Sequence, residues 1–427
     1  LFSGSYNTVM GAYALGDNSL KDTSKNVHIG YRAAYEALSV TDNVVIGYQT
    51  AYNDETGDQN VHIGYEAAYY ADDVDQNVVI GYKARYNATA GAGSIAIGYQ
   101  TGQYPEGTYN TFIGYEAGKG STSVRTAHSN VALGKDALND ITSGYGNVAV
   151  GMLAGASLTT PRDNVLIGYG AGKDLTTGPQ NILIGLNSAE NMTDLYESVI
   201  IGNECAASFV SQPTHGRMLY LGYRVAYNST GSEKDYEIGL GFSTLYSDKS
   251  TKAHIAIGGW AGYYLSGSGD GSIMLGQNAL MGNAAGLEAT ATIAIGAGAG
   301  EHLDESTYDQ YIGGRAGGEA GTTQSSTVIG FDAGRYYAAD NAGVENILIG
   351  RETGFYLGSD SLGNTAGPAT GNTIVGVGAG MRLIGGDKNV IMGYNAGPAT
   401  SAGVDEDNKL YIHNAQSDTP LIGGDFS

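Results

Sequence analysis

Apolar residues recur along the chain in one fixed phrase. With a glycine taken as position 0, aliphatic residues stand at −1 and −3 and an Asn at −4, as in Asn26-Val27-His28-Ile29-Gly30 and Asn164-Val165-Leu166-Ile167-Gly168. Alternate residues of a strand share a face, so the −3 and −1 side chains are expected to fill the inside of a coil. Twenty-two marker glycines run from Gly11 to Gly393, and twelve of the twenty-one intervals between them are 17 residues. Position +3 is Ala in fifteen copies, which suggests a second wall where backbones approach closely. The remainder of each period is polar and rich in turn residues, as in Asp54-Glu55-Thr56-Gly57-Asp58. No 3.6-residue period is sustained. The pattern predicts an all-β parallel β-solenoid (a β-roll) of about 22 coils with a period near 17 residues.

Position −2 is expected to face outward, yet it is often apolar: Val45, Val79, Phe112, Leu166, Leu183 and Ile200, then Val328, Leu348, Ile374 and Ile391. A strand apolar on both faces is buried on both. Those residues are therefore expected to form an oligomer interface, with a homotrimer favoured. His28 and His62 share that position. On a threefold axis each would form a ring of three imidazoles able to hold a metal, the plainer reading being a hydrogen-bonded interface His. Tyr31, Tyr48, Tyr65, Tyr82, Tyr99 and Tyr115 at +1, with Tyr35, Tyr52, Tyr69 and Tyr86 at +5, are expected to stack along the axis as cladding or as a sugar-binding stripe.

Asn at −4, present in thirteen copies, can hydrogen-bond its neighbours as a ladder or hold the turn before the strand. Breaks in register fall at Arg125-Thr126-Ala127-His128, at Gln212-Pro213-Thr214-His215 and over Ser359 to Thr370, and insertions in solenoids map to loops on one face. The zone from Met218 to Phe242 is read as a local widening or bend. Residues 1–403 are expected to form the solenoid shaft. Residues 404–427 abandon the repeat, and Asn408-Lys409-Leu410-Tyr411-Ile412-His413-Asn414 with Thr419-Pro420-Leu421-Ile422-Gly423-Gly424-Asp425-Phe426 is read as a closing pair of strands, a β cap. The chain begins within the pattern, which suggests a piece of a longer precursor.

A net charge of −22 disfavours nucleic acid, which needs clustered Lys and Arg. No apolar run is long enough to span a membrane. The single Cys205 falls at +3 and reads as a small buried residue. Gly296-Ala297-Gly298-Ala299-Gly300 and Gly376-Val377-Gly378-Ala379-Gly380 mimic phosphate loops, but both keep the repeat's register and lack the P-loop Lys. No catalytic constellation, cofactor site or metal-ligand spacing stands out, and the chain is not expected to be an enzyme. The acidic loops Asp72-Asp73-Val74-Asp75 and Asp405-Glu406-Asp407 read as solvated, without calcium-loop spacing. Trp260 falls at +2, which is polar or Gly in most copies. With Tyr263 and Tyr264 it forms a candidate surface contact for a glycan.

The Asn-Val-x-Ile-Gly-x-x-Ala phrase, over about residues 7 to 397, resembles the repeat of trimeric autotransporter adhesin heads, which are left-handed parallel β-rolls assembled as trimers. The chain departs from that family in its longer period. The terminal Asn408-Lys409-Leu410-Tyr411-Ile412-His413-Asn414 and Thr419-Pro420-Leu421-Ile422-Gly423-Gly424 segments look like those near the C-terminal ends of phage tail fibres, where an intramolecular chaperone domain often follows. The resemblance implies an extracellular structural fibre on a virion tail or bacterial surface, giving reach and multivalent attachment to a surface glycan or receptor. A bacterial adhesin or filament subunit, and a β-solenoid polysaccharide depolymerase, are the alternatives.

Overall fold

The computed structural model describes residues 5–16, 23–71, 74–87, 90–104, 107–121, 126–208, 215–230, 236–249, 254–266, 271–283, 286–319, 321–336, 343–357, 369–398, 407–415 and 421–425. The chain divides into two units, Leu1–Ala207 and Ser208–Ser427. Each is a parallel β-solenoid, and together they hold about twenty turns with a period near 17 residues. In the first unit the strands are mostly three residues long, each ending one residue before the marker glycine. Val44–Ile46 pairs in register with Val61–Ile63, which pairs with Val78–Ile80. The second unit repeats this from Ile255–Ile257 to Val390–Met392. It adds a second parallel sheet through Leu287–Thr290, Glu305–Thr307 and Thr322–Gln324. Where the sequence suggested a widening, the strands lengthen to five residues, Leu219–Tyr223 and Ile238–Phe242. At the end, Lys409–Ile412 continues the parallel stack and Ile422–Asp425 pairs with it antiparallel. The acidic loops at Asp72-Asp73 and Asp405-Glu406, and most of the insertions at 122–125, 209–214 and 358–368, lie outside the described residues.

The marker glycine has two independent reasons to be glycine. Gly30 sits at φ +134° and Gly47 at +139°, a region closed to side chains, and a Cβ on Gly30 would overlap the carbonyl oxygen of Gly47 in the next coil. The turn beyond it passes through left-handed residues at +2 and +4, such as Gln49 (φ 49°) and Ala51 (φ 48°). A single αL residue is costly for most side chains. Here each is held by a bond to the adjoining coil: Gln49 N–H donates to Tyr31 O at 2.9 Å, and Ala51 N–H to Ala67 O at 2.9 Å.

The facing of the strand is the reverse of the sequence expectation. Val45, Val79, Phe112, Leu166, Leu183 and Ile200 are at most 2% exposed within one chain, as are Val328, Leu348, Ile374 and Ile391. They fill the inside of their own coils and cannot form an oligomer interface. A coil of about 17 residues closes on a narrow interior that accepts one side chain per strand, and the central residue takes it. Small neighbours make the room: a Cβ on Gly118 would strike the Phe112 ring at 2.6 Å. The −3 and −1 residues point out instead. Leu133 is 46% exposed and Ile349 38%. The apolar outer stripe therefore exists, but on Val131, Leu133, Ile167, Ile182 and Ile201 in the first unit and on Ile255, Ile257, Ile295, Ile347 and Ile349 in the second.

His28 and His62 follow the same correction. Both are fully buried inside the coil, so neither can line a symmetry axis as an exposed ring of imidazoles. His62 Nδ1 lies 3.9 Å from Asp54 Oδ2. Burial, with the nearby Arg85 charge, pushes the His62 pKa down to about 3.

Asn at −4 does both things open to it. Asn60 Oδ1 accepts the Asn77 N–H at 2.9 Å, and Asn60 Nδ2 donates to Val74 O at 2.6 Å. The ladder thus joins each coil to the next and pins the turn that follows. Cys205 is buried, as its register required.

Candidate functional site

The outer face that follows the marker glycine differs along the chain. In the first unit the +1 tyrosines stack ring on ring: Tyr48 and Tyr65 lie 5.0 Å apart at 7°, and Tyr99 and Tyr115 4.9 Å apart at 7°. The +5 column does the same, with Tyr52 and Tyr69 5.0 Å apart at 7°. Cations from +2 lie between the columns. Arg32 sits 5.3 Å from the rings of both Tyr31 and Tyr35, and Lys83 sits 4.8 Å from Tyr86 while its Nζ is 3.3 Å from Glu66. Ring faces that cover one another are closed to a sugar. What this surface presents is ring edges and hydroxyls, which supports the cladding reading of the column.

These columns end at Tyr115 and Tyr86, and shorter ones form in the second unit. The +1 stack runs from Tyr223 to Phe242 and stops at Gly259. Trp260, one residue later, leans edge-on against Phe242 at 5.4 Å and 69°. The +5 stack runs Tyr227, Tyr246, Tyr263, the last pair 4.7 Å apart at 2°, and the next residue in the column is Met281. Tyr264 meets Tyr263 edge-on at 4.5 Å. The phenol of Tyr263 has its pKa raised, first by burial and then by Tyr246. Trp260, Tyr263, Tyr264, Asn278 and Met281 line an open depression of about 320 Å³. All three aromatic residues singled out from sequence therefore come together. Trp260 is 38% exposed and sits at φ 58°. The register placed it at +2 on the surface, and the ladder's end explains why it has room there.

A second depression on the same face, of about 170 Å³, is lined by Glu301, His302, Arg315, Gly318, Glu319 and Arg335. None of these was singled out by sequence. The signal was present in the register, because +2, +5 and +6 of successive coils fall in three columns. Arg315 Nη2 is 2.7 Å from Asp332 Oδ2, and Arg335 Nη2 is 3.5 Å from Glu319 Oε1. Asn278 Nδ2 donates to Glu301 Oε1 at 2.6 Å. Among the described residues, no cluster of three or more His, Cys, Asp or Glu is placed to hold a metal ion, and no helix is long and apolar enough to cross a membrane.

No protein-family model matches this chain, and no curated protein matches it in sequence.

Proposed function

We propose that this chain is the shaft of a trimeric surface-attachment fibre, of the kind found in phage tails, and that the Trp260 depression contacts a cell-surface glycan. The observation that carries the reading is the outer stripe. Every described coil from Val27–Ile29 to Val390–Met392 turns its −3 and −1 side chains out, and most of these are Val, Ile or Leu. Within each unit these side chains form an apolar strip, and such a strip is covered by a partner in soluble proteins. The resemblance of the repeat to trimeric adhesin heads, and of the terminal segment to tail fibres, supports three copies and an extracellular place. The β-solenoid is compatible with such a fibre. Avidity from three chains would replace the depth that a 320 Å³ open depression lacks. A bacterial adhesin would use the same surfaces in the same way.

Native mass measurement tests the assembly: three copies are expected, and a monomer overturns it. Ile167→Glu with Ile184→Glu is expected to split the assembly and leave the coil content by circular dichroism intact. Leu166→Glu is the contrast, because Leu166 is interior and a buried carboxylate there should unfold the coil.

One observation favours a depolymerase as a second reading: two carboxylates, Glu301 and Glu319, line one depression. Release of reducing ends from a surface polysaccharide, lost in Glu301→Gln, is what that reading requires.

A further inference from the structure

We propose that the face of the second unit from Trp260 to Arg335 is one groove for an extended, neutral oligosaccharide, with an aromatic subsite at one end and a hydroxyl-reading subsite of Glu301, Arg315 and Arg335 at the other. This rests on the glycan reading of the Trp260 depression and deepens it.

Continuity comes first. The backbone of the +6 residue in each coil donates to the +5 carbonyl of the next: Tyr264 to Met281 at 3.0 Å, Gly282 to Glu301 at 3.0 Å, His302 to Gly318 at 3.1 Å and Glu319 to Arg335 at 2.8 Å. One unbroken wall therefore runs under both depressions. Asn278 belongs to the first depression and orients Glu301 in the second through its 2.6 Å bond.

Depth comes next. Between the two ends the columns lose their side chains, at Gly282, Gly298 and Gly318. Gly298 falls at +2, where its neighbours carry Asn278 and Arg315. A Cβ there would lie 2.8 Å from Glu301 Oε2 and 3.3 Å from Arg315 Cγ. A side chain is missing from the column there, and the Glu301 carboxylate and the Arg315 stem turn into that space and form the floor. Four coil steps at about 4.8 Å give a length of about 19 Å, the reach of several sugar rings.

Charge decides the ligand class. Arg315 is paired with Asp332 at 2.7 Å, and Arg335 lies between Glu319 at 3.5 Å and Asp332 at 3.6 Å. Each guanidinium already has a counter-charge. An acidic sugar would set its carboxylate beside Glu301, Glu319 and Asp332, and like charges brought together reject the wrong partner. Sugar hydroxyls both donate and accept, so they can bridge the carboxylates and guanidiniums that are present.

The test uses the full chain and calorimetric titration with maltohexaose, cellohexaose and chitohexaose, each beside its disaccharide, and with hexagalacturonate as the acidic probe. The groove requires a neutral hexasaccharide to bind at least about tenfold more tightly than its disaccharide. Gly298→Asn and Arg315→Ala should erase that length advantage while disaccharide binding at Trp260 persists. Asn is tolerated at this position because Asn278 holds the same backbone conformation one coil earlier (φ 58° against 68°). Binding that Trp260→Ala abolishes, but that ignores chain length and both groove variants, overturns the groove and leaves the glycan reading standing. Exclusive binding of hexagalacturonate overturns the neutral class. Failure of every probe to bind overturns the groove and the glycan reading together.

Discussion

In the first unit the outer aromatic columns run from Tyr31 to Tyr115 and from Tyr35 to Tyr86, and Lys135 covers the last +1 ring; in the second unit shorter columns end at Phe242 and Tyr263, where Trp260 and Tyr264 meet the last rings edge-on. The same positions of the same repeat thus make cladding in one place and a cavity in the other. A stacked ring contributes about 0.5–1.5 kcal/mol beyond the area it buries, and it does so by covering its neighbour's face. Ending the column gives up that contact and leaves an aromatic surface for something else to cover. The interior shows a parallel contrast. Through most of the first unit the −4 column is Asn, which accepts from one coil and donates into the next turn. In the second unit the column is mixed, with Asn346, Asn372 and Asn389 kept, and in one coil Asp309 takes that place. It accepts from Ser326 N–H at 2.7 Å, Thr307 N–H at 3.0 Å, Ser306 Oγ at 2.8 Å and Thr323 Oγ1 at 2.9 Å. Thr323 lies fourteen residues on, where an Asn coil would use a carbonyl. Glu237, also at −4, is buried and accepts from the hydroxyl of Tyr220.

The largest expected effect asks whether the two units share one frame. Gly64→Ala and Gly296→Ala each place a Cβ against the next coil's backbone at φ +143° and +134°. Each should cost at least about 3 kcal/mol in denaturant unfolding. Tolerance of either would mean that its unit is not built on the glycine corner.

Next is the −4 column. Asn60→Ala strands the Asn77 N–H and the Val74 carbonyl, at about 1–3 kcal/mol for each buried group left unpaired. Asp309→Asn keeps one acceptor oxygen and sets its Nδ2 against a backbone N–H, of Thr307 or of Ser326, so it should also cost about 1–3 kcal/mol while removing the pH dependence that the carboxyl brings. Burial raises the Asp309 pKa above its ordinary 3.8, so its contribution is present below pH 3.8 and is lost as pH rises through the folded value. Unchanged stability in Asp309→Asn, or an unchanged pH slope, would contradict this.

Acid probes the first unit. His62 titrates at about 3 in the fold and near 6.5 when unfolded. A depressed value favours the neutral folded form, so the stability it confers is present above pH 6.5 and falls away as pH drops toward 3. His62→Val, which restores the residue of the flanking coils, should flatten that slope, and hydrogen exchange should place the change around Val61–Ile63. An unchanged slope would remove His62 from the account.

The smallest effect separates cladding from site. Tyr65→Ala should cost about 1 kcal/mol of stability through two lost stacks and leave glycan binding alone. Trp260→Ala should do the reverse, weakening binding about tenfold with little change in unfolding. A binding loss in Tyr65→Ala would restore the sugar-stripe reading of the first unit.

Much of this was legible in the residues. The period, the short parallel strands, the glycine corner, the burial of Cys205 and the exposure of Trp260 all follow from register, because each coil must repeat its hydrogen bonds on the last. The second depression was not legible as a site, since Glu301, Arg315 and Arg335 look like ordinary surface charges until their columns are set side by side.

By itself, then, the sequence determined the repeat and what each position must tolerate. Only the tertiary structure decided which way the strand faces. Residues −3, −2 and −1 are all apolar, so alternation alone cannot say which set is inside. The closing of a narrow coil settles it, admitting Leu166 and turning Val165 and Ile167 out. The tertiary structure also set Trp260 and Arg335, 75 positions apart in the chain, only four coils apart, because stacking turns one period of sequence into a single step of about 4.8 Å.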